Sequence, residues 1–258
     1  MASESGTPPT KQQPLTEHEV DAYTSPYSTS DFVKYATDGG LVFAPIDSTS
    51  SNLAVLDSAT GDGHWLGDLA RKLKIGAKLV GADIASQNFI EPEQLPANIS
   101  LIEDNILDPW PVQYQEHFDL VHQRLVLMVC DDGKSVTAIQ DLFATVKPGG
   151  WIQLHDGDMD TIEDGEGHRA MEKLRTILRS PGPKLKGWLE DAGAHDVQEK
   201  VLTTKCGKKS ENYEQGEQTP NFLFSMEEMA ELTFDLAREL REAGNSYHTY
   251  VVWGRKSL

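Results

Sequence analysis

The chain has 258 residues, of which 38% are hydrophobic, and it carries a formal net charge of −18. This length and composition predict one main domain with a single sizeable core. The negative charge disfavours nucleic acid and anionic membranes as partners, because phosphate groups are bound by clustered Lys and Arg. Cys130 and Cys206 form no disulfide or metal pattern. Since no stretch approaches the ~20 apolar residues of a membrane span, we expect a cytoplasmic protein.

The N-terminal part of the chain divides into two segments. Residues 1–16 are rich in Ser, Thr, Pro and Gln, a composition that predicts a disordered tail. Residues 17–45 bring aromatic and apolar residues at partly helical spacing, which predicts a helical segment that packs on the main domain, 46–258. This segment either only packs against the main domain or forms a lid whose Tyr27 and Tyr35 cover a substrate pocket.

From residue 52 onward, short apolar runs alternate with segments of helical periodicity. The runs end at acidic or glycine-rich residues, as buried parallel strands do. The alternation predicts βαβ units and a Rossmann-like, doubly wound α/β sheet. A turn is predicted at Pro148-Gly149-Gly150. The predicted strands are Leu53–Leu56, Lys78–Ala82, Ile99–Ile102, Phe118–His122, Trp151–Leu154, Asp196–Thr203 and His248–Gly254.

The first predicted strand runs into a loop from Asp57 to Gly63. Its glycines Gly61 and Gly63 allow sharp turns and a close approach to a ligand. Asp62 within the loop would repel a pyrophosphate, and Leu66 stands where a dinucleotide fingerprint needs Gly or Ala. The loop is instead compatible with S-adenosylmethionine (SAM), which has no phosphates and presents an ammonium, a carboxylate and a sulfonium. Trp65 offers the sulfonium an aromatic face.

The next two strands end in acidic residues. Asp83, followed by Ile84, comes ~20 residues after the glycine loop, where an acid typically accepts hydrogen bonds from ribose hydroxyls. Asp104-Asn105 follows the third strand, where a carboxylate can accept a hydrogen bond from an adenine amino group. The alternatives are a surface Asp at a strand end and a turn Asp. We expect both acids and their neighbours to bind the cofactor.

The fourth and fifth strands end in His122, Arg124, His155 and Asp156. These ends are expected to surround the reacting group, with Arg124 and Asp156 in the substrate pocket. His155 and His122 are either general bases or structural, hydrogen-bonded histidines, and we favour His155 as the base. Asp156 and Asp158 lack a third ligand, so no metal site is predicted.

The motifs taken together resemble a known family. The segment from Leu56 to Trp65 resembles the first motif of class I SAM-dependent methyltransferases, and most closely the fungal LaeA-like branch, where a Trp also follows the glycine loop. The similarity spans about residues 40–258. Its further motifs lie at Gly40 to Ile46, Phe118 to Arg124, Val146 to Gln153, Trp188 to Val197 and Gly254 to Lys256.

This resemblance implies a seven-stranded sheet, mostly parallel with an antiparallel last strand, and SAM held by Asp57, Gly61, Asp83 and Asp104. It also implies methyl transfer to a small molecule, in fungal secondary metabolism. The sequence departs from the family at Ala59, where the first Gly usually stands. Because Ala disfavours positive φ, we expect a slightly reshaped loop.

Two other functions remain open from the sequence. The bound cofactor can act electrostatically in a cyclisation or rearrangement without methyl transfer. Alternatively, the chain is a regulatory binding protein, as some LaeA-like proteins are. Neither the methyl acceptor nor the oligomeric state is predicted.

Overall fold

The computed structural model describes residues 37, 39–210 and 227–258, without the side chains of 227–231. The predicted tail 1–16 and most of the predicted lid 17–45, including Tyr27 and Tyr35, lie outside the described residues. The described end of the lid, 39–45, is irregular rather than helical.

A seven-stranded sheet with the order β3-β2-β1-β4-β5-β7-β6 forms the centre of the molecule. Strand β7 runs antiparallel to both of its neighbours, and the other pairs are parallel. The predicted doubly wound sheet with an antiparallel last strand is therefore confirmed. The strands are β1 (Ala54–Ser58), β2 (Lys78–Asp83), β3 (Ile99–Glu103), β4 (Phe118–Arg124), β5 (Val146–Asp158), β6 (His195–Cys206) and β7 (Asn245–Arg255).

Helices cover both faces of this sheet. Helix α1 and residues 41–44 pack on one face, and α2 and α4 pack on the other. Helices α3 and α5 contribute to a third apolar cluster, which includes Met128 and Tyr247. Among the described residues, no helix combines the length and apolar character that crossing a bilayer requires. The helices are α1 (His64–Ala70), α2 (Asp132–Ala144), α3 (Arg169–Ile177), α4 (Leu185–Asp191) and α5 (Glu227–Glu242).

Strand β5 is much longer than the sequence predicts. The Pro148-Gly149-Gly150 segment lies inside the strand and forms no separate turn before it. Gly149 has a φ of 77°, and the pairing of β4 with β5 shifts register between Phe118 and Leu120. This irregularity, typical of a β-bulge, absorbs the Pro-Gly-Gly segment without ending the strand. At its other end β5 continues to Asp158 through its pairing with β7, so His155 and Asp156 lie within the sheet and not in a loop after it.

The strand order reverses between β1 and β4, and ligands of doubly wound sheets bind at the carboxyl ends of the strands beside such a reversal. The glycine loop follows β1 directly, and Asp83 ends β2 on its far side. The fold therefore brings the predicted site residues of β1, β2 and β4 to one edge of the sheet.

Candidate active site

The loop between β1 and α1 contains three residues with left-handed backbone: Ala59, Gly61 and Gly63, with φ values of 55°, 64° and 93°. Ala59 adopts the conformation that favours glycine, so the expected reshaping of the loop is not observed. The cost is local strain, since a left-handed alanine is about 1–2 kcal/mol less favourable than a right-handed one. The loop keeps its sharp turns despite the missing glycine.

Asp83 ties this loop to the end of β2. Its Oδ2 accepts a hydrogen bond from the Gly61 amide at 2.8 Å, and its Oδ1 accepts one from the Ala85 amide at 2.9 Å. A carboxylate has about four acceptor positions, so two remain for other donors. The geometry leaves Asp83 able to accept the two hydroxyls of a ribose, as the sequence predicts.

The neighbouring strand end presents a second carboxylate between apolar side chains. The Asp104 amide donates to the Asp83 carbonyl at 3.1 Å, which holds the two strand ends side by side. Burial raises the pKa of Asp104. Ile84 and Leu107 are 59% and 41% exposed. Such exposure of large apolar residues leaves them available for contact with a ligand. Together with Asn105, these residues offer a polar group and apolar surface to a ligand, and their contact with an adenine stays a prediction.

Asp57 faces the protein interior and holds His122. Its Oδ1 lies 2.7 Å from Nδ1 of His122, and its Oδ2 accepts from the Thr60 hydroxyl at 2.7 Å. Because a carboxylate only accepts, Nδ1 carries the proton and Nε2 is the acceptor of the neutral ring. Burial lowers the pKa of His122, with Arg124 adding to the effect against the opposing influence of Asp57. Direct contact of Asp57 with a cofactor stays a prediction.

Trp65 is buried against His122. The two rings are stacked with centroids 3.9 Å apart, and the indole is 1% exposed. The indole therefore fixes the plane of the imidazole. Its predicted contact with a sulfonium is untested.

A small, partly open cavity lies beside these rings. It brings together four of the predicted site residues, Trp65, His122, Arg124 and His155, whereas Asp156 does not line it. The cavity is lined by Thr37, Gly40, Leu41, Phe43, Trp65, His122, Arg124, Gln153 and His155.

His155 has an unusual environment in this cavity. Its Nε2 is buried, and no described atom hydrogen-bonds to it. Burial, aided by the charge of Arg124 and by His122, lowers the pKa of His155 to about 3. The ring is therefore neutral at physiological pH and is a weak base. In the tautomer that carries the proton on Nδ1, the buried Nε2 can accept a hydrogen bond from a ligand that enters the cavity.

Asp156 points away from the cavity, since consecutive strand residues face opposite sides of a sheet. Its Oδ2 accepts from the Leu127 amide at 2.9 Å and its Oδ1 from the Gly157 amide at 2.8 Å. Burial raises the pKa of Asp156 to about 7. Its observed role is to hold the turn after β4, and a role in the substrate pocket stays a prediction. Within residues 37, 39–210 and 227–258, no cluster of three potential metal ligands is present.

The sequence analysis assigned no role to Gln153. Its side chain is 2% exposed and hydrogen-bonds to the backbone of residues 41–44. The available signal was a polar residue in the apolar strand Trp151–Leu154, since buried polar side chains require partners.

Comparison with known proteins finds similarity to methyltransferases. Residues 55–150 match the family model of the methyltransferase domain. The chain is 36% identical over 253 residues to the N-methyltransferase tcpN of Claviceps purpurea, covering 87% of this chain and 90% of that protein. It is 31% identical over 255 residues to the N-methyltransferase sirN of Leptosphaeria maculans, covering 88% of each.

Among solved structures, the fold resembles phosphoethanolamine N-methyltransferase 2 of Haemonchus contortus in complex with SAM. The TM-score is 0.59 at 15% sequence identity, and the match covers 94% of this chain and 58% of that longer chain. At this identity the similarity shows the shared fold.

Proposed function

The chain belongs to the class I SAM-dependent methyltransferases, and we propose that it transfers the methyl group of SAM to a nitrogen atom of a small molecule. The observation that carries the proposal is the identity of 36% and 31% to two N-methyltransferases over about nine-tenths of their length. We also propose that the protein acts in fungal secondary metabolism, that it belongs to the LaeA-like branch and that it is located in the cytoplasm. The buried, unpaired Cys130 and Cys206 support a reducing compartment.

The residues at the carboxyl edge of the sheet fit SAM. The turns at Gly61 and Gly63 let the backbone approach the amino-acid part, Asp83 accepts from the ribose, and Asp104 accepts from the adenine amino group with Ile84 against the ring. When bound there, SAM supplies an electrophilic methyl on a positively charged sulfur.

The chain's own residues then have to orient the acceptor and exclude water. Correct orientation alone can contribute about 7–11 kcal/mol to lowering a barrier. With its proton on Nδ1, His155 accepts a hydrogen bond at Nε2 from the acceptor's N–H and so directs the nitrogen lone pair toward the methyl group. The N–C bond would form as the C–S bond breaks, and the proton of the nitrogen would pass to solvent. A pKa of about 3 makes His155 an orienting acceptor and a poor general base. His122, held by Asp57 and Trp65, forms the adjoining wall.

The test uses the purified full-length chain, SAM with a deuterated methyl group, and a panel of small amines, amides, alcohols and thiols. We expect a product that contains the deuterated methyl on nitrogen, identified by mass and by NMR. A product methylated on oxygen, sulfur or carbon would refute the choice of nitrogen. Substrate turnover with unchanged SAM would support the cyclisation alternative, and SAM binding with a protein partner but no turnover would support the regulatory one.

A further inference from the structure

Residues 39–46 form a strap that crosses the carboxyl half of the sheet. The side chains of Leu41 and Ala44 are buried in the apolar cluster that contains Trp65. The same segment lines one side of the cavity through Gly40, Leu41 and Phe43. The strap is therefore both a part of the core and the wall that faces His122 and His155.

One side chain, Gln153, binds the strap at its centre. Its Oε1 accepts hydrogen bonds from the Phe43 amide at 2.6 Å and from the Ala44 amide at 3.2 Å. Its Nε2 donates to the Leu41 carbonyl at 3.1 Å. These bonds use both the acceptor and the donor of a primary amide, a combination that neither a carboxylate nor an ammonium offers.

The position of Gln153 in the sheet connects the strap to the reacting groups. Gln153 pairs in register with His122, and His155 pairs in register with Arg124. Residues 153 and 155 are two apart on β5, so their side chains share one face of the sheet. The strap held by Gln153 consequently lies over the row of the sheet that carries the cavity histidines.

We propose that Gln153 is a positioning residue that fixes the strap as the wall of the methyl-transfer cavity and keeps water from Nε2 of His155. The proposal deepens the function proposed above and rests on it for the identity of the cavity. It assigns to Gln153 no contact with the reacting atoms.

Besides the buried Leu41 and Ala44, the strap makes further contacts toward its sides. The Phe43 ring stacks on Trp253 at 5.9 Å between centroids, with Nζ of Lys200 5.0 Å from the Phe43 ring. Nζ of Lys72 donates to the Gly39 carbonyl at 3.2 Å. These surface contacts are worth less than buried hydrogen bonds whose loss leaves amides unpaired. Gln153 therefore holds the backbone of the strap, while the burial of Leu41 and Ala44 anchors its side chains.

The main test variant is Gln153→Met, which keeps the side-chain length and removes the amide. Thr145→Val is the matched control. It deletes one buried hydrogen bond, from Thr145 to the Leu142 carbonyl at 2.7 Å, at the opposite end of β5. Both variants lose stability, but only Gln153→Met frees the strap.

Two measurements on the full chain need no acceptor. The first is hydrogen exchange of the Phe43 and Ala44 amides. The second is modification of His155 by diethylpyrocarbonate, with the exposed His64 and His195 as internal references. Loss of three hydrogen bonds predicts exchange and His155 modification about tenfold faster or more. The proposal is wrong if Gln153→Met matches Thr145→Val in both measurements.

Where Gln153→Met does not fold, Phe43→Ala tests the same wall from the strap side and should also expose His155. With an acceptor in hand, Gln153→Met should raise its KM and lower kcat while the Kd of S-adenosylhomocysteine stays within about threefold. Unchanged kinetics with a loosened strap would also overturn the positioning role. If no acceptor is methylated, the proposed function fails, whereas exchange and modification still decide whether Gln153 holds the strap.

Discussion

At the residue scale, the site depends on polar side chains in register across three adjacent strands. Asp57 pairs with His122, and His122 pairs with Gln153. Both oxygens of the Asp57 carboxylate and both polar atoms of the Gln153 amide have hydrogen-bond partners in the protein. Nε2 of His155 has none among the described atoms. A buried polar atom without a partner is unfavourable. Among the described residues Gln123 Oε1, Ser135 Oγ and His155 Nε2 are such atoms, and of these three residues His155 lines the cavity, which marks it as the position prepared for a ligand.

Asp83→Asn should weaken the binding of S-adenosylhomocysteine about ten- to hundredfold, because a hydrogen bond to a charged group contributes about 1.5–3 kcal/mol. Calorimetry measures the change. Asp62→Asn is the matched control in the same loop, since the Asp62 carboxylate pairs with the exposed His64 at 2.8 Å. Equal losses in both variants would contradict the role given to Asp83.

His155→Gln should change how stability depends on pH. The folded pKa of His155, about 3, lies below its ordinary value of 6.5. Between these values the unfolded chain binds the proton and the native chain does not, so wild type loses about 1.4 kcal/mol per pH unit as pH falls. Relative to wild type, the variant should gain stability from pH 6.5 toward 3, as measured by urea unfolding. A difference in unfolding free energy between variant and wild type that does not change with pH would contradict the lowered pKa of His155.

Asp156→Asn should gain stability relative to wild type as pH rises, the opposite of the pH dependence expected for His155→Gln. The folded pKa of Asp156, about 7, lies above its ordinary value of 3.8. The native chain binds the proton more tightly, so this group contributes stability at low pH that is lost as pH rises from 3.8 to about 7. The variant should gain on wild type as pH rises through this window. The same unfolding series checks it, and a gain toward acid would refute the sign.

At the scale of elements, the sequence predicts where strands and helices occur better than where they end. All seven strands lie where apolar runs predict them. Strand β5 was predicted too short because proline and glycine usually end a strand, whereas a bulge carries this strand through them. The contact of Asp57 with His122 was not predicted, because the sequence does not reveal the register of non-consecutive strands.

Ala59→Gly should stabilise the loop between β1 and α1. It removes about 1–2 kcal/mol of left-handed strain and adds about 0.5–1 kcal/mol of backbone entropy cost, so a net gain of about 0.5–1 kcal/mol is expected. Thermal and urea unfolding measure it. Ala82→Gly, in the buried part of β2, has no strain to relieve and should destabilise. Destabilisation by both would contradict the strained conformation of Ala59.

At the scale of the whole molecule, the surface charge sets the response to salt. A net charge of −18 on 258 residues destabilises the compact state by self-repulsion, which salt screens within a Debye length of about 10 Å at 0.1 M. The midpoint of thermal unfolding should therefore rise from low to moderate sodium chloride. Potassium chloride should act alike, and a midpoint that falls with either salt would contradict this expectation.

The architecture of the molecule was predicted from βαβ alternation and from motif order. The places of the candidate residues at strand ends were predicted too, while their contacts with a cofactor stay a prediction. The strap and Gln153 were not predicted, since their importance arises from contacts between residues more than 100 positions apart. Sequence periodicity reports local structure and the burial of single residues. It does not report which distant backbone a buried amide holds.

The three apolar clusters share no member among the described residues, and this separation bears on how the enzyme diversifies. Two clusters lie against the sheet and support the edge that we propose to bind the nucleoside, whereas the third joins α3 and α5. Substitutions in the third cluster can reshape that side of the protein while the proposed nucleoside edge keeps its geometry. The third cluster contains none of the residues that line the cavity, so substitutions around α3 and α5 should change stability before they change the choice of acceptor.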